Sequence, residues 1–270
     1  MGFALSPIAA NAGYRLESFE TVGSTNAVAL ERAAAGDPGG IWFVSKKQEN
    51  GRGRRGRAWS SPEGNLASTL LLVDSFDMKA AATLGFVAGL SLADALDAVF
   101  AATGPSVPPA IGLKWPNDVL LNGAKLSGIL LESAFLPGNA TGVDRLAIAV
   151  GIGTNVVAHP EGLPYLATSL HAVGCGCDAE TLFSALSDAW TENYRVWSGG
   201  RGLDVIRSRW LERAHGLGGN VTMQVEDRVI EGRFETIDAG CRFVIREDDG
   251  ARVAVTAGDV YFGTATTLRK

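Results

Sequence analysis

One short stretch of the sequence, KKQENGRGRRGRAWSS at residues 46–61, concentrates positive charge on a glycine-rich backbone. Residues 46–57 contain six lysines and arginines and one acid, Glu49, so the local formal charge is six minus one, or +5. The whole chain of 270 residues has 24 Lys+Arg against 29 Asp+Glu, a net charge of -5. A confined cationic site in an acidic protein favours a small anionic ligand over a long nucleic-acid track.

The residue types in this stretch suit the binding of phosphate or carboxylate. Gly51, Gly53 and Gly56 let the backbone approach a ligand closely with its N–H groups. The arginine side chains present planar forks that match the oxygens of both anions. A solvated basic loop and an RGG-like nucleic-acid-binding segment are the alternatives. RGG segments interleave aromatic residues, whereas Trp59 is the sole aromatic residue nearby and predicted strands bracket the loop, which favours a binding site.

A second motif, KWPNDVLLNGAKLSGIL at residues 114–130, places polar groups in an otherwise apolar hairpin. Pro116 rigidifies a turn that presents Asn117 and Asp118 together. Lys125 enters a strand that reads as buried, and a buried lysine requires an anionic partner. Ordinary exposed lysines are the alternative for this hairpin.

Most familiar catalytic signatures are missing from the sequence, which has no GxxxxGK[ST], HExxH or GxSxG motif. The GIG at residues 151–153 lacks the third glycine of a dinucleotide fingerprint, because Val156 stands there. His171, Cys175 and Cys177 fit no zinc-type spacing, and we interpret the cysteines as small buried residues. The chemistry that remains is the positioning of anions by cations.

The order of predicted elements indicates an α+β fold with a mixed, largely antiparallel sheet and flanking helices. Asn122-Gly123 predicts a two-residue hairpin turn. A first strand begins at Tyr14, and a helix begins at Ser24 or Thr25 and stops at Gly36. The remaining predictions are strands at 41–48, 65–73 and 146–156, and helices at about 80–102, 178–197 and 203–215.

The character of the sequence changes after residue 216. Residues 221–262 contain five short alternating strands, which predict a small β-barrel appended to the main domain. We therefore expect two domains, residues 1–216 and residues 217–270. The aromatic residues at helical spacing in 178–197, Trp190, Tyr194 and Trp197, are expected in the core.

Five motifs occur in the order found in biotin protein ligases, which this chain resembles from about Tyr14 to its C-terminus. They are STN (24–26), Gln48 leading into GRGRRGR (51–57), KWPND (114–118), KLSGIL (125–130) and GIGTN (151–155). The resemblance implies a class II synthetase-like domain followed by an SH3-like barrel. It also implies a two-step reaction, in which biotin and MgATP give biotinyl-5′-AMP and pyrophosphate, and a lysine of a biotin carboxyl-carrier domain then accepts the biotin.

The resemblance also implies roles for individual residues, with Arg54 and Lys125 catalytic and no resident metal, since Mg²⁺ arrives with ATP. The biotin-binding residues would be Ser24, Thr25, Asn26, Gln48, Arg52, Gly53, Arg54 and Lys125. The ATP-binding residues would be Arg55, Arg57, Lys114, Asn117, Asp118 and Asn155.

Two features depart from the family pattern. Glu49 places an acid beside the expected pocket, where it would weaken anion binding. Only thirteen residues precede Tyr14, too few for the winged-helix domain of the DNA-binding members, so no sequence-specific DNA binding is expected.

Two other functions stay open at this point. A lipoate or octanoate ligase would share the fold and the chemistry, but those relatives lack GRGRRGR together with KWPND. A nucleic-acid-binding protein would explain the arginines but not the hairpin motif. Three sparse cysteines favour a reducing cytoplasm. No membrane span is expected, since the longest uncharged apolar run has about 14 residues, fewer than the roughly 20 that a bilayer requires.

Overall fold

The first part of the chain is built on a seven-stranded sheet. The computed structural model describes residues 2–138, 144–225 and 228–262. The strands are β1 (Arg15–Phe19), β2 (Ile41–Ser45), β3 (Leu66–Asp74), β4 (Ile111–Lys114), β5 (Asp118–Leu121), β6 (Ala124–Leu136) and β7 (Arg145–Thr154). Their order is β1-β2-β3-β7-β6-β5-β4, with β1 and β2 parallel and each further neighbouring pair antiparallel. The predicted α+β class is confirmed.

Helices cover both faces of this sheet. They are α1 (Pro7–Asn11), α2 (Thr25–Ala34), α3 (Met78–Ala82), α4 (Leu84–Thr103), α5 (Ala179–Trp197) and α6 (Leu203–Glu212). Successive side chains of a strand point to opposite faces, so Trp42 and Val44 of β2 join the larger core, while Ile41 and Phe43 pack with α2. This two-sided burial explains why the central strands are apolar at nearly every position.

The aromatic face of α5 lies in the larger core, as its spacing predicts. Trp190 and Trp197 are fully buried, and the Trp190 ring meets Trp42 edge-on at 5.9 Å. Asp178 caps the helix by accepting the backbone N–H of Thr181 at 2.8 Å. A polar cap therefore begins this helix, and an apolar stripe holds it in the core.

The Asn122-Gly123 turn fixes the register of the strands that carry the second motif. Both residues have positive φ, 48° and 82°, as a two-residue type I′ hairpin requires. The turn joins β5 to β6 with Leu120 opposite Lys125, and a register shift between Val119 and Leu120 then places Asp118 opposite Gly128. This register brings Asp118 and Lys125, seven residues apart in sequence, onto adjacent strands.

The predicted C-terminal strands form a separate antiparallel sheet. They are β8 (Asn220–Val225), β9 (Arg228–Ile237), β10 (Phe243–Arg246), β11 (Arg252–Val255) and β12 (Asp259–Phe262), in the order β11-β10-β9-β8-β12. The consecutive strands β11 and β12 thus occupy opposite edges. Their connection can span at most about 15 Å, whereas five flat strands would be about 19 Å across. The sheet therefore curls, as in a small barrel.

The two sheets are joined by contacts at the second motif. The indole N–H of Trp115 donates to the carbonyl of Cys241 at 3.3 Å, and the Trp115 ring lies 5.4 Å from that of Phe243. Arg207 of α6 donates to the carbonyl of Ile237 at 2.7 Å. These contacts hold the C-terminal sheet over one end of the main sheet.

One helical stretch, Met78–Thr103, is long and apolar enough to cross a bilayer, contrary to the run-length argument from the sequence. Buried residues make up 72% of its most apolar window, as in the core helix of a folded domain. The stretch is broken at Thr83 between α3 and α4, and α4 packs against the sheet and α5.

The cysteines lie in the core, as predicted. Cys175 and Cys177 are buried, and burial raises the pKa of the Cys177 thiol to about 12. Burial likewise raises the pKa of Cys241 to about 11. The thiols of Cys177 and Cys241 are therefore protonated at neutral pH, which makes these two residues poor nucleophiles.

Replacement of a core leucine tests the packing of α5. Leu186 is fully buried, so Leu186→Ala should lower the free energy of unfolding by about 2–5 kcal/mol through lost burial and a residual cavity. Urea denaturation measures this change. The control is Val107→Ala, at a side chain 81% exposed, where the change should stay within about 0.5 kcal/mol. Equal effects at the two positions would contradict the assignment of α5 to the core.

Candidate active site

A cavity of about 630 Å³ lies between the main sheet, the arginine-rich loop at residues 48–61 and the edge of the C-terminal sheet. Its size is typical of a small-molecule site. Twelve of the fourteen residues predicted from the sequence line it, and Arg55 and Asn155 do not. The twelve are Ser24, Thr25, Asn26, Gln48, Arg52, Gly53, Arg54, Arg57, Lys114, Asn117, Asp118 and Lys125.

The arginine loop, residues 48–61, is folded on itself by backbone pairing. Gln48 pairs with Ser61 and Arg52 with Ala58, and the N–H of Gly53 donates to the carbonyl of Arg57 at 2.7 Å. The glycines permit this path, because a Cβ at Gly51 would lie 2.5 Å from the Trp59 carbonyl oxygen. The loop therefore forms one wall of the cavity, and its backbone can lie close to a bound ligand.

Arg54 is tied to the second motif. Its Nη1 donates to the Oδ1 of Asn117 at 3.2 Å, and Asn117 Nδ2 donates in turn to the Ile129 carbonyl at 2.8 Å. Both ends of the Asn117 amide are thus occupied by protein groups. Asn117 therefore positions the Arg54 guanidinium at the cavity.

Trp59 lies flat against a part of the sheet that has no side chains. A Cβ built on Gly128 would come within 3.3 Å of the Trp59 ring, and one built on Gly153 within 2.5 Å of its Nε1. The glycines of KLSGIL and GIGTN therefore make the space for this ring. The indole anchors the loop to β6 and β7.

Lys125 has the anionic partner that its predicted burial requires. Its Nζ lies 2.7 Å from Asp118 Oδ1, and it faces the rings of Trp59 at 5.6 Å and Tyr165 at 5.5 Å. The side chains of Lys125 and Asp118 are 19% and 18% exposed. The cation is therefore held between one carboxylate and two aromatic faces, at the centre of the cavity wall.

The opposite end of the cavity has a floor of neutral polar side chains. Gln48 Oε1 accepts the backbone N–H of Thr25 at 2.9 Å and its hydroxyl at 3.0 Å. Thr69 Oγ1 lies 2.8 Å from Thr25 Oγ1 and 2.6 Å from Asn26 Oδ1. Ser24 caps α2, so the N-terminus of this helix opens on the same floor. Such a network of fixed donors and acceptors suits a neutral polar ligand group.

Glu132 joins the floor to the loop. Its Oε2 accepts Asn26 Nδ2 at 2.8 Å, and its carboxylate lies 3.4 Å from Arg52. Gly151 has to be glycine, because a Cβ there would overlap the Asn26 carboxamide. Glu132, the Gly151 backbone and Thr69 therefore surround the Asn26 amide.

The end of the cavity next to the C-terminal sheet contains Lys114 and His215. Lys114 Nζ lies 5.8 Å from the centre of the Phe262 ring, and the His215 ring meets Phe262 edge-on at 5.0 Å. Burial, with a smaller contribution from the Lys114 charge, lowers the pKa of His215. The imidazole is neutral at pH 7, so Lys114 supplies the positive charge here.

Three predicted residues have other surroundings in the structure. Asn155 is buried, and its Nδ2 donates to the Thr168 carbonyl at 3.0 Å, so it supports the segment that carries Tyr165. Arg55 is exposed at a left-handed position of the loop, with φ 57°. Glu49 is exposed and does not itself line the cavity, although Gln48 before it does, so its effect on anion binding stays a prediction.

Sequence reasoning missed several residues of the site. Thr69 and Glu132 are polar residues within largely apolar strands, a signal that marks a buried contact. Tyr165 and His215 lie in connecting segments whose path across the cavity cannot be read from a pattern.

Comparisons with known proteins agree with this geometry. The biotin/lipoate A/B protein ligase family matches residues 18–155, and the biotin protein ligase C-terminal domain matches residues 216–263. The chain belongs to this family. It is 40% identical to the biotin–[acetyl-CoA-carboxylase] ligase of Paracoccus denitrificans, over 89% of this chain and 97% of that protein. It is 32% identical to the ligase of the same name from Mycobacterium tuberculosis, over 94% and 91%.

A solved structure shares the same architecture. The biotin protein ligase of Aquifex aeolicus, in complex with biotin and ATP, superposes with a TM-score of 0.73 at 26% identity. The match covers 93% of this chain and 99% of that one. The resemblance read from the five motifs is therefore confirmed at the level of family and fold.

The Trp59 platform can be tested with one methyl group. Gly153→Ala should displace the indole from the sheet, because the new Cβ would lie 2.5 Å from its Nε1. The measurement is fluorine NMR of 5-fluorotryptophan-labelled protein, which has six tryptophans, with the Trp59 signal assigned by Trp59→Phe. That signal should shift and gain solvent sensitivity. Gly176→Ala, where a Cβ meets nothing within 4 Å, is the matched control. An unmoved Trp59 signal in Gly153→Ala would contradict the packing.

Proposed function

We propose that the chain activates biotin with ATP to biotinyl-5′-AMP and transfers the biotin to a lysine of a biotin carboxyl-carrier domain. The observation that carries the proposal is the arrangement of the cavity, with a neutral polar floor at one end and cations along the other walls. Biotin has a neutral ureido ring and an anionic carboxylate, and ATP is a polyanion. The names of the two relatives support biotin as a substrate, and the Aquifex aeolicus complex with biotin and ATP supports the pair.

The floor suits the ureido ring, which offers two N–H donors and one carbonyl acceptor. Ser24, Thr25, Asn26 and Gln48 supply hydroxyl and amide groups. Thr69 and Glu132 hold Asn26, Thr25 holds Gln48, and Ser24 accepts the backbone N–H of Ala27. Fixed donors and acceptors bind a matching ligand without reorganising. The apolar body of biotin would then lie along Trp59, with its carboxylate toward Lys125.

Lys125 is placed to act on two anions together. Bond formation joins the biotin carboxylate oxygen to the α-phosphorus of ATP and breaks the bond to pyrophosphate, so negative charge builds up around phosphorus. A cation already positioned at that point stabilises the charge without reorganisation. Asp118, Trp59 and Tyr165 hold the Lys125 ammonium in position before the substrates bind.

The arginines and Lys114 provide the remaining charge. Arg52, Gly53 and Arg54 would contact biotin and the activated carboxyl from the loop, with Arg54 directed by Asn117. Arg57 and Lys114 would serve the phosphates of ATP, as would Arg55 if the loop closes over the nucleotide. Asn155 would serve the nucleotide side through the segment that it supports.

Mg²⁺ enters as part of the MgATP substrate, and Asp118 fits a role beside it. Asp118 Oδ1 is buried and, although it lies 2.7 Å from the Lys125 ammonium, receives no directed hydrogen bond. A buried carboxylate oxygen with an available lone pair is a ligand that Mg²⁺ prefers. Asp118 would therefore both hold Lys125 and meet the metal of the substrate.

The same proposal includes the domain division and the setting of the reaction. Residues 1–216 would form the ligase domain and residues 217–270 the SH3-like domain, and limited proteolysis near residue 217 tests the boundary. The carrier domain of a biotin-dependent carboxylase would be the acceptor, in the cytoplasm.

The substrate assignment is tested by pyrophosphate release. We expect the purified chain to release pyrophosphate from ATP only when biotin and Mg²⁺ are both present, because the cations need a carboxylate nucleophile to act on. A coupled phosphate assay measures the release, and omission of Mg²⁺ or biotin is the control. Lipoate is the competing substrate, since the matched family includes lipoate ligases. Equal turnover with lipoate would overturn the biotin assignment.

Removal of the Lys125 ammonium should impair adenylation far more than biotin binding. The expected loss for Lys125→Ala is about 2–4 kcal/mol in the barrier, the scale for one group that stabilises transition-state charge. Single-turnover adenylation and calorimetry with biotin separate the two effects. The matched control is Lys79→Ala, at an exposed lysine of α3. A value of kcat within threefold of the unsubstituted chain would show that Lys125 is not catalytic.

A further inference from the structure

Glu132 is an acid that contacts both the floor and the arginine loop. It lies in the middle of β6, and its side chain is 27% exposed. It accepts Asn26 Nδ2 at 2.8 Å and lies 3.4 Å from Arg52. An acid close to the expected position of an anionic substrate opposes binding by charge alone, so its presence requires another reason.

A carboxylate can fix the orientation of a neighbouring amide, and this effect supplies the reason. An ionised carboxylate only accepts hydrogen bonds, whereas an asparagine amide has a donating and an accepting end. Glu132 therefore forces the Asn26 amide to face it with Nδ2. The second Nδ2 hydrogen is directed to the Leu130 carbonyl at 3.3 Å, which agrees with the same orientation.

The orientation of Asn26 determines the direction of the adjoining hydrogen bonds. With Nδ2 turned to Glu132, Asn26 Oδ1 faces Thr69 and accepts its hydroxyl proton at 2.6 Å. The oxygen of Thr69 can then only accept from the Thr25 hydroxyl at 2.8 Å, and the single Thr25 proton is directed either there or to Gln48 Oε1 at 3.0 Å. One charge thus fixes the Asn26 amide and the Thr69 hydroxyl, and it leaves Thr25, one of the residues expected to bind the ureido ring, with two acceptors for its proton.

We propose that Glu132 is a positioning residue for biotin, which orients the Asn26 amide and, through Thr69, the donors and acceptors of the pocket floor. This inference rests on the proposed function. Its contact with Arg52 is secondary, because the guanidinium is 48% exposed and the separation is long for an ion pair. Glu132 touches neither the cavity nor the reacting atoms, so its effect is on the affinity for biotin.

The test is the isosteric substitution Glu132→Gln. A glutamine amide can accept from Asn26 or donate to it, so either orientation of Asn26 becomes possible. We expect the Kd for biotin to rise about tenfold, the change that accompanies loss of one well-placed hydrogen bond to a charged group. At saturating biotin, kcat for pyrophosphate release should stay within about threefold. Glu63→Gln, at an exposed glutamate in the segment after the loop, should leave both constants unchanged.

A double-mutant cycle separates orientation of Asn26 from anchoring of the loop. If Glu132 acts through Asn26, Glu132→Gln should add less than about twofold to the biotin Kd in an Asn26→Ala background. It should retain its full effect in an Arg52→Ala background. The reverse pattern, or a biotin Kd within twofold of the unsubstituted chain for Glu132→Gln alone, would overturn the inference.

A measurement on the unsubstituted chain does not depend on the folding of any variant. The side-chain amide protons of Asn26, observed by nitrogen-edited NMR, should exchange slowly with water, because Glu132 and the Leu130 carbonyl accept them. Rapid exchange would contradict the contact. Absence of biotin-dependent pyrophosphate release from the unsubstituted chain would instead overturn the proposed function, so the two failures are distinguishable.

Discussion

The contact between Lys125 and Asp118 is the interaction on which the arrangement of the cavity depends. A partly buried ammonium is costly without a partner. The partner is supplied by the hairpin of β5 and β6, in which the Asn122-Gly123 turn and the register shift at Val119 and Leu120 bring Asp118 to Lys125. Trp59 can then pack over the same lysine, and it brings the arginine loop with it. The loop, the hairpin and the sheet are thus assembled around one cation.

Absence of side chains is as important here as their presence. Gly128 and Gly153 leave room for the Trp59 indole, and Gly151 leaves room for the Asn26 amide. All three positions lie on neighbouring strands β6 and β7, so the sheet presents a bare surface toward the cavity. The short sequences KLSGIL and GIGTN therefore encode a ligand-binding surface through their glycines, in addition to any role of their polar residues.

Much of the fold could be predicted from local patterns. The capped helix at Ser24, the Asn122-Gly123 hairpin and the apolar stripe of α5 follow from turn, cap and periodicity rules that act within a few residues. The exposed position of Glu49 could not be predicted in this way. It depends on the backbone pairing of Gln48 and Glu49 with Val22, far away in sequence, and of Gln48 with Ser61 at the other end of the loop.

Long-range pairing also explains which site residues were missed. Glu132 and Asn26 are 106 residues apart, and Thr69 and Asn26 are 43 apart. Each strand by itself shows a few polar residues among apolar ones, without any sign of their partners. The sheet order brings β3, β7 and β6 side by side below the N-terminus of α2, and only then do these residues meet. The arginine loop can be recognised in the sequence as an anion-binding segment. The residues that orient the neutral floor come together only when the sheet forms, so no local pattern predicts them.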